Sequence, residues 1–328
     1  LHDALPICPG LGSALTAFGI RRGTFMARAV ADELDDETSD PWPLVDKILS
    51  GTAPAPPTVR QDITGKRKKK WGKTKTNDRK LLELISHFEL GEDQATTIFS
   101  QSSDDVPDVD AILANPYLIY ESSRWSADPV SLWVIDQGVH PQESSRQGRE
   151  LPTTTSDLKE YDHGYRVRAF AVHCLDQGAD NGDTVLPASE LADRISSLPL
   201  EPRCKITADD LDLYASPDEF DGVIEQVPTT GSEVAYQLQE FTTYGTAIRE
   251  FIESHLKRAG ALRDVAGWRD RVDSALSSSA KADALEEIAR SEKTRALEQL
   301  VSKGFAVLIA GAGAGKATLV EGLRGAAG

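Results

Sequence analysis

The feature that most constrains this chain lies near its end. An apolar run, Phe305-Ala306-Val307-Leu308-Ile309, leads without a break into Ala310-Gly311-Ala312-Gly313-Ala314-Gly315-Lys316-Ala317-Thr318. A short run of that kind predicts a buried parallel strand. Leu319, Val320 and Leu323 predict a helix after the glycines. Glycines at alternate positions let the backbone wrap closely around an anion, with several N–H groups pointing inward. A lysine at the helix start adds a full charge to the partial positive charge of the helix N-terminus. Strand, glycine loop, lysine and helix together are the context that a phosphate loop requires. The residues expected to hold a nucleotide are therefore Ala310, Gly311, Ala312, Gly313, Ala314, Gly315, Lys316, Ala317 and Thr318. Lys316 is the expected catalytic cation, reaching the β/γ-phosphates. The plainer alternative is a Gly/Ala-rich turn that carries a surface lysine.

One position departs from the pattern. The residue after the lysine should offer a hydroxyl to Mg²⁺, and here it is Ala317. Thr318 follows one residue later, rotated by about 100° on a helix, and is no obvious substitute. ATP and Mg²⁺ are the expected cofactors, with the usual Ser/Thr ligand replaced by Ala317. Losing that ligand impairs catalysis more than phosphate binding, because the metal stabilises charge that develops during transfer. A weakened ATPase and a sequence error both remain open as explanations.

The remaining composition is that of a globular protein of two or more domains: 328 residues, 40% hydrophobic and 27% charged, with mean hydropathy −0.34. No apolar run approaches the roughly 18 residues of a membrane span, so no membrane partner is expected. Cys8, Cys174 and Cys204 are far apart and include no CxxC pair, which points to a reducing, cytoplasmic setting. The six histidines are scattered, and no metal site is expected among the protein's own side chains.

The net charge of −16 would repel nucleic acid on average, but the positive charge is concentrated in Lys66-Arg67-Lys68-Lys69-Lys70-Trp71-Gly72-Lys73-Thr74-Lys75 and Arg79-Lys80. Local potential governs binding more than the average does. Lys66, Arg67, Lys68, Lys69 and Lys70 are candidate contacts to backbone phosphates, and Trp71 is a candidate for stacking on an exposed base. The same run also reads as a solvated charged loop.

Periodicity predicts helices over 24–34, from Asp40-Pro41-Trp42 to Gly51, and over 78–88 and 92–99. The last two, joined through Leu90-Gly91, suit a helix-hairpin-helix, with Gly91 offering an amide to a DNA phosphate, or equally a simple αα-hairpin. A polar stretch around 142–157 reads as a loop or insertion. Next come a helix over 165–177, an extended Thr184-Val185-Leu186-Pro187, a helix over 189–198 and extended segments near 222–224 and 234–238. That order suggests a winged-helix-like unit. Further helices are predicted over 244–259, 266–276 and 280–303. Residues 1–7 resemble translated sequencing adapter, and the helix after Lys316 stops early, so the chain reads as an internal fragment.

Four blocks then occur in an order that resembles RecD-like superfamily-one DNA helicases: 81–99 (LLELISHFELGEDQATTIF), 112–121 (ILANPYLIYE), 165–195 (YRVRAFAVHCLDQGADNGDTVLPASELADRI) and 289–320 (ARSEKTRALEQLVSKGFAVLIAGAGAGKATLV). The resemblance implies a fold that is mainly α with minor β. It comprises a helical N-terminal region with helix-hairpin-helix-like and winged-helix-like units, then the truncated start of a P-loop (RecA-like) α/β domain. The expected segments are 1–8 as artefact, 9–60 helical, 61–121 basic segment plus helix-hairpin-helix-like unit, 122–240 winged-helix-like, 241–300 helical connector and 301–328 ATPase start. The implied activity of the intact protein is ATP-driven unwinding, with single-stranded or duplex DNA as partner and the fragment alone inactive. Glu292-Lys293 stands where many such helicases read adenine with glutamine, Gln299 being nearby, and Gly182-Asp183-Thr184 stands where the family often has Gly-His-Thr. The alternatives are a nucleic-acid-binding or regulatory module with a degenerate nucleotide site, and another P-loop ATPase of the restriction or defence kind.

Overall fold

The computed structural model describes residues 8–34, 39–141, 151–155, 157–215, 220, 222–231, 233–257, 267–275, 284–302, 304–311, 315–317 and 320. The protein is mainly helical with one small three-stranded antiparallel sheet. It divides into two compact units, Leu1–Gln239 and Glu240–Gly328.

The first unit opens with α1 (Leu11–Phe18) and α2 (Gly23–Ala31), followed by α3 (Trp42–Ser50). Helix α3 starts at Trp42 with Pro41, not Asp40, as its N-cap residue, and Asp40 Oδ1, one residue earlier, accepts from the Trp42 N–H at 2.9 Å. Gly51, left-handed at φ 87°, ends it. Next come α4 (Gly65–Lys73), α5 (Thr76–Ser86) and α6 (Glu92–Ser100). The apolar face predicted for the fifth helix is buried through Leu81, Leu82, Leu84 and Ile85, and Leu11, Ala14, Leu15 and Phe18 of α1 are buried as well. Helix α1 packs on α2, α5 and α6. Each fully buried leucine contributes about 1.5–3 kcal/mol of transfer free energy.

Short helices α7 (Val109–Ala114), α8 (Leu118–Ser123) and α9 (Leu132–Val139) lead to α10 (Gly164–Asp180), the longest helix of this unit. After α10 come β1 (Leu186–Pro187), α11 (Ala188–Ser197), α12 (Ala208–Tyr214), β2 (Ile224–Pro228) and β3 (Val234–Leu238). The sheet order is β1-β3-β2, with Leu186 opposite Tyr236 and Gln226 opposite Tyr236 on the other side. Pro187 sits in an edge strand, where its missing N–H costs no central ladder bond.

A polar network is buried beneath this part of the chain. Arg166 is fully buried and clamps Asp136 through Nε (2.8 Å) and Nη2 (2.9 Å). It also donates to the carbonyls of Tyr161 (2.7 Å) and Pro202 (2.8 Å). Tyr117 donates its hydroxyl to Asp136 at 2.8 Å, and Asn115 Oδ1 accepts from the Tyr117 N–H. Arg168 pairs with Glu121, and Arg124 with Asp176.

The second unit contains α13 (Gln239–Leu256), α14 (Trp268–Ala275) and α15 (Ala284–Ser302). Trp268, Val272 and Leu297 form its buried cluster, against which Ala296, Val301 and Leu308 pack. One expectation is corrected here. Residues 306–310 belong to no strand, and Val307 and Ile309 are 69% and 90% exposed. A parallel strand is buried by neighbouring strands and covering helices, and the second unit has no other strand among its described residues.

Candidate functional site

The glycine loop belongs to the second unit. Gly315 is left-handed, at φ 80°, and the chain passes from it directly into helical Lys316 and Ala317. That φ is natural to glycine and strained for any other residue. The Lys316 ammonium turns back over the loop and donates to the carbonyls of Ala310 (2.6 Å) and Gly311 (3.0 Å). Lys316 is thereby brought together with Ala310 and Gly311, while Ala312, Gly313, Ala314 and Thr318 lie outside the described residues. An ammonium held by neutral carbonyls keeps a net positive charge at the helix start. The position where the pattern has a hydroxyl for Mg²⁺ offers no side-chain ligand. Ala317 has only a methyl group to offer, and no group of three or more His, Cys, Asp or Glu among the described residues could hold a metal. Glu292 and Gln299, weighed as adenine readers, are exposed on α15.

The basic run belongs to the first unit and is a helix, not a loop. Thr64 caps α4, its Oγ1 accepting from the Arg67 N–H at 3.3 Å. Helical spacing then sorts the side chains by face. Lys66 and Lys69 are exposed, and Arg67 and Lys68 are half-buried. Lys70 lays its ammonium on the Phe18 carbonyl at 2.8 Å and over the Phe18 ring at 4.7 Å. Burial, and then the charge of Arg67, lower the Lys70 pKa below its ordinary value.

Trp71 faces inward and is only 3% exposed. Its Nε1 donates to Asp46 at 2.8 Å, its ring meets Phe18 edge-on at 5.1 Å, and the Arg79 guanidinium covers it at 4.6 Å. This corrects the expectation that Trp71 stacks on a base, because its ring is buried and its N–H is already used. Gly91 is corrected as well. Its N–H donates to Gln94 Oε1 at 3.0 Å, and Glu92 and Asp93 occupy the first turn of α6, where they repel a phosphate. Lone aromatics in cationic runs at helical spacing, and a glycine followed by two acids, were the signals for both outcomes.

Arg21 lies outside the basic run. It lines a cavity of about 470 Å³ together with Gln61, Asp62, Thr64, Lys66, Arg67 and Lys70. The doublet Arg21-Arg22, just after the glycine that ends α1, was the available signal.

The three cysteines are buried, and none is in a disulfide. Burial pushes Cys174 up to about 12 and Cys204 up to about 11, so neither is a ready nucleophile. No helix among the described residues is long and apolar enough to cross a membrane. No protein-family model matches the chain, and neither a curated protein nor a solved structure matches it significantly.

Proposed function

We propose that the chain is the N-terminal part of an ATP-dependent DNA helicase of the RecD-like kind, which binds single-stranded DNA through its first unit and holds ATP at the loop around Lys316. The observation that carries this reading is the lysine bent over the Ala310 and Gly311 carbonyls directly after left-handed Gly315. In that arrangement the charge, the loop ends and the helix start converge on one small volume, as polyphosphate recognition needs. The order helix, strand, helix, helix, hairpin, with the sheet ordered β1-β3-β2, is consistent with a winged-helix-like unit in the first part. Helix α12 of that unit carries Asp209, Asp210 and Asp212, so the DNA contact is assigned to the basic helix α4 and not to α12.

A second reading is favoured by Ala317 and by the exposure of Val307 and Ile309: a nucleic-acid-binding or regulatory module whose nucleotide site has decayed. Titrating the full chain with a fluorescent ATP analogue separates them. The helicase reading expects binding that Lys316→Ala weakens about tenfold, and that becomes Mg²⁺-dependent in Ala317→Thr. Binding that ignores both substitutions would remove the nucleotide site from this loop.

A further inference from the structure

We propose that the cavity beside the start of α4 is a phosphate-binding pocket, formed by Arg21, Thr64, Lys66 and Arg67, which takes a phosphate group of a nucleic-acid strand. The proposal rests on the DNA-binding reading only for the source of the phosphate. The pocket itself is independent of the nucleotide loop.

Charge balance is the first argument. Four cationic side chains line the cavity (Arg21, Lys66, Arg67 and Lys70) against one carboxylate, Asp62. That carboxylate is already engaged by Arg22 at 2.8 Å. Among the described residues no carboxylate pairs with Arg21, Lys66 or Arg67. The crowding is felt inside the group, since the Arg67 charge helps to lower the Lys70 pKa. Like charges held this close without counter-charge are stabilised by a bound anion.

Local structure holds the cations in place, which is the second argument. Gly19 ends α1 at φ 109°, and a Cβ there would lie 1.9 Å from Arg67 Nη1. Glycine therefore leaves the slot through which the guanidinium reaches. Lys70 is pinned to the Phe18 carbonyl and forms the back of the pocket. Thr64 begins α4, so the partial positive charge of the helix start adds to the cluster. At Gly65 nothing lies within 4 Å of where a Cβ would be, and the approach is open.

Ligand chemistry follows from the donors. Two guanidinium forks and an ammonium around one volume suit an anion with three or four oxygens better than a single carboxylate. The volume of about 470 Å³ leaves room for the rest of one nucleotide unit. Lys69 and Lys73, exposed farther along α4, continue the positive surface away from the pocket toward the next phosphates.

The test uses the full chain. Fluorescence anisotropy follows a labelled single-stranded oligonucleotide of about 20 nucleotides, and calorimetry follows inorganic phosphate. In Arg21→Gln/Arg67→Gln the oligonucleotide is expected to bind at least about tenfold more weakly, with the log–log salt slope reduced by about 0.7, the loss of one phosphate contact. Arg67→Lys restores part of the loss, and Lys47→Gln, which removes one positive charge on neighbouring α3, shifts affinity less than about threefold. If the double variant fails to fold, Arg21→Gln alone, at an exposed position, carries the same test through a smaller loss of oligonucleotide affinity. Inorganic phosphate binding that the variant loses while oligonucleotide affinity stays unchanged keeps the pocket and assigns it a free phosphate, and the DNA reading then falls. Equal binding of both probes by wild type and variant, or a loss in Lys47→Gln that matches the variant, overturns the pocket. Lys316→Ala is carried alongside, so that failure of the nucleotide loop registers separately.

Discussion

Arg166 and Asp136 show how blocks that carry a family resemblance in the sequence can serve the fold. The Asn-Pro-Tyr and Arg-Val-Arg blocks meet in one buried network, where Asn115 orients Tyr117, and Tyr117 and Arg166 share Asp136. A buried pair is weak evidence of net stabilisation, but breaking one half strands the other charge. Arg166→Gln is therefore expected to cost about 3–5 kcal/mol in urea unfolding, with Asp136→Asn similar and the double variant less than additive. His173 offers a pH readout. Its ring lies against Trp133 at 5.6 Å, its Nε2 is buried without a hydrogen-bond partner, and burial lowers its pKa below 6.5. The folded state thus prefers neutral imidazole, while the unfolded chain takes up a proton near 6.5. The His173 contribution is fully present above that value and is lost as pH falls below it. Unfolding free energies measured between pH 5 and 7.5 should decline toward acid in the wild type, and by less in His173→Gln. Parallel curves would contradict the assignment.

At the scale of elements, α4 is the instructive case. A run with six cations in nine residues (Gly65–Lys73) has little reason to be helical in isolation, yet the Thr64 cap and the burial of Trp71 set both its start and its inner face. Trp71→Ala is expected to cost about 3–5 kcal/mol by leaving a cavity against Phe18. It should leave single-stranded DNA affinity within about threefold at a temperature where the variant is folded. A large loss of DNA affinity in a folded variant would return Trp71 to the binding surface. Helices α5 and α6 pack on one another, and the Gly91 amide between them is satisfied locally by Gln94.

At the scale of the molecule, the division at 239/240 separates a unit with an extensive core from one whose buried cluster is Trp268, Val272 and Leu297. Residues 1–239 made alone should keep a helical circular dichroism spectrum and unfold in one cooperative transition. A non-cooperative melt would mean that the first unit depends on the rest of the chain. Helix α13 has no buried residue, and Tyr244, Ile248, Phe251 and Leu256 along it are all more than half exposed.

Local pattern alone determined much of the helical content. The Asp40–Trp42 turn, the Gly51 cap and the apolar spacing of Leu81, Leu82, Leu84 and Ile85 act within one or two turns and are legible in a single chain. So was the glycine–lysine loop, as a chemical pattern. Only tertiary structure decided that Trp71 faces inward and that Arg166 is buried on Asp136. It also decided that Arg21, more than 40 residues from Lys66, shares a cavity with it. The reason is physical. Which face of a helix is buried depends on what packs against it, and the partners of an ion pair or a cavity wall are set by contacts distant in sequence. The run at 306–310 makes the same point in reverse: its apolar residues carry strand propensity, but a strand needs neighbours to pair with.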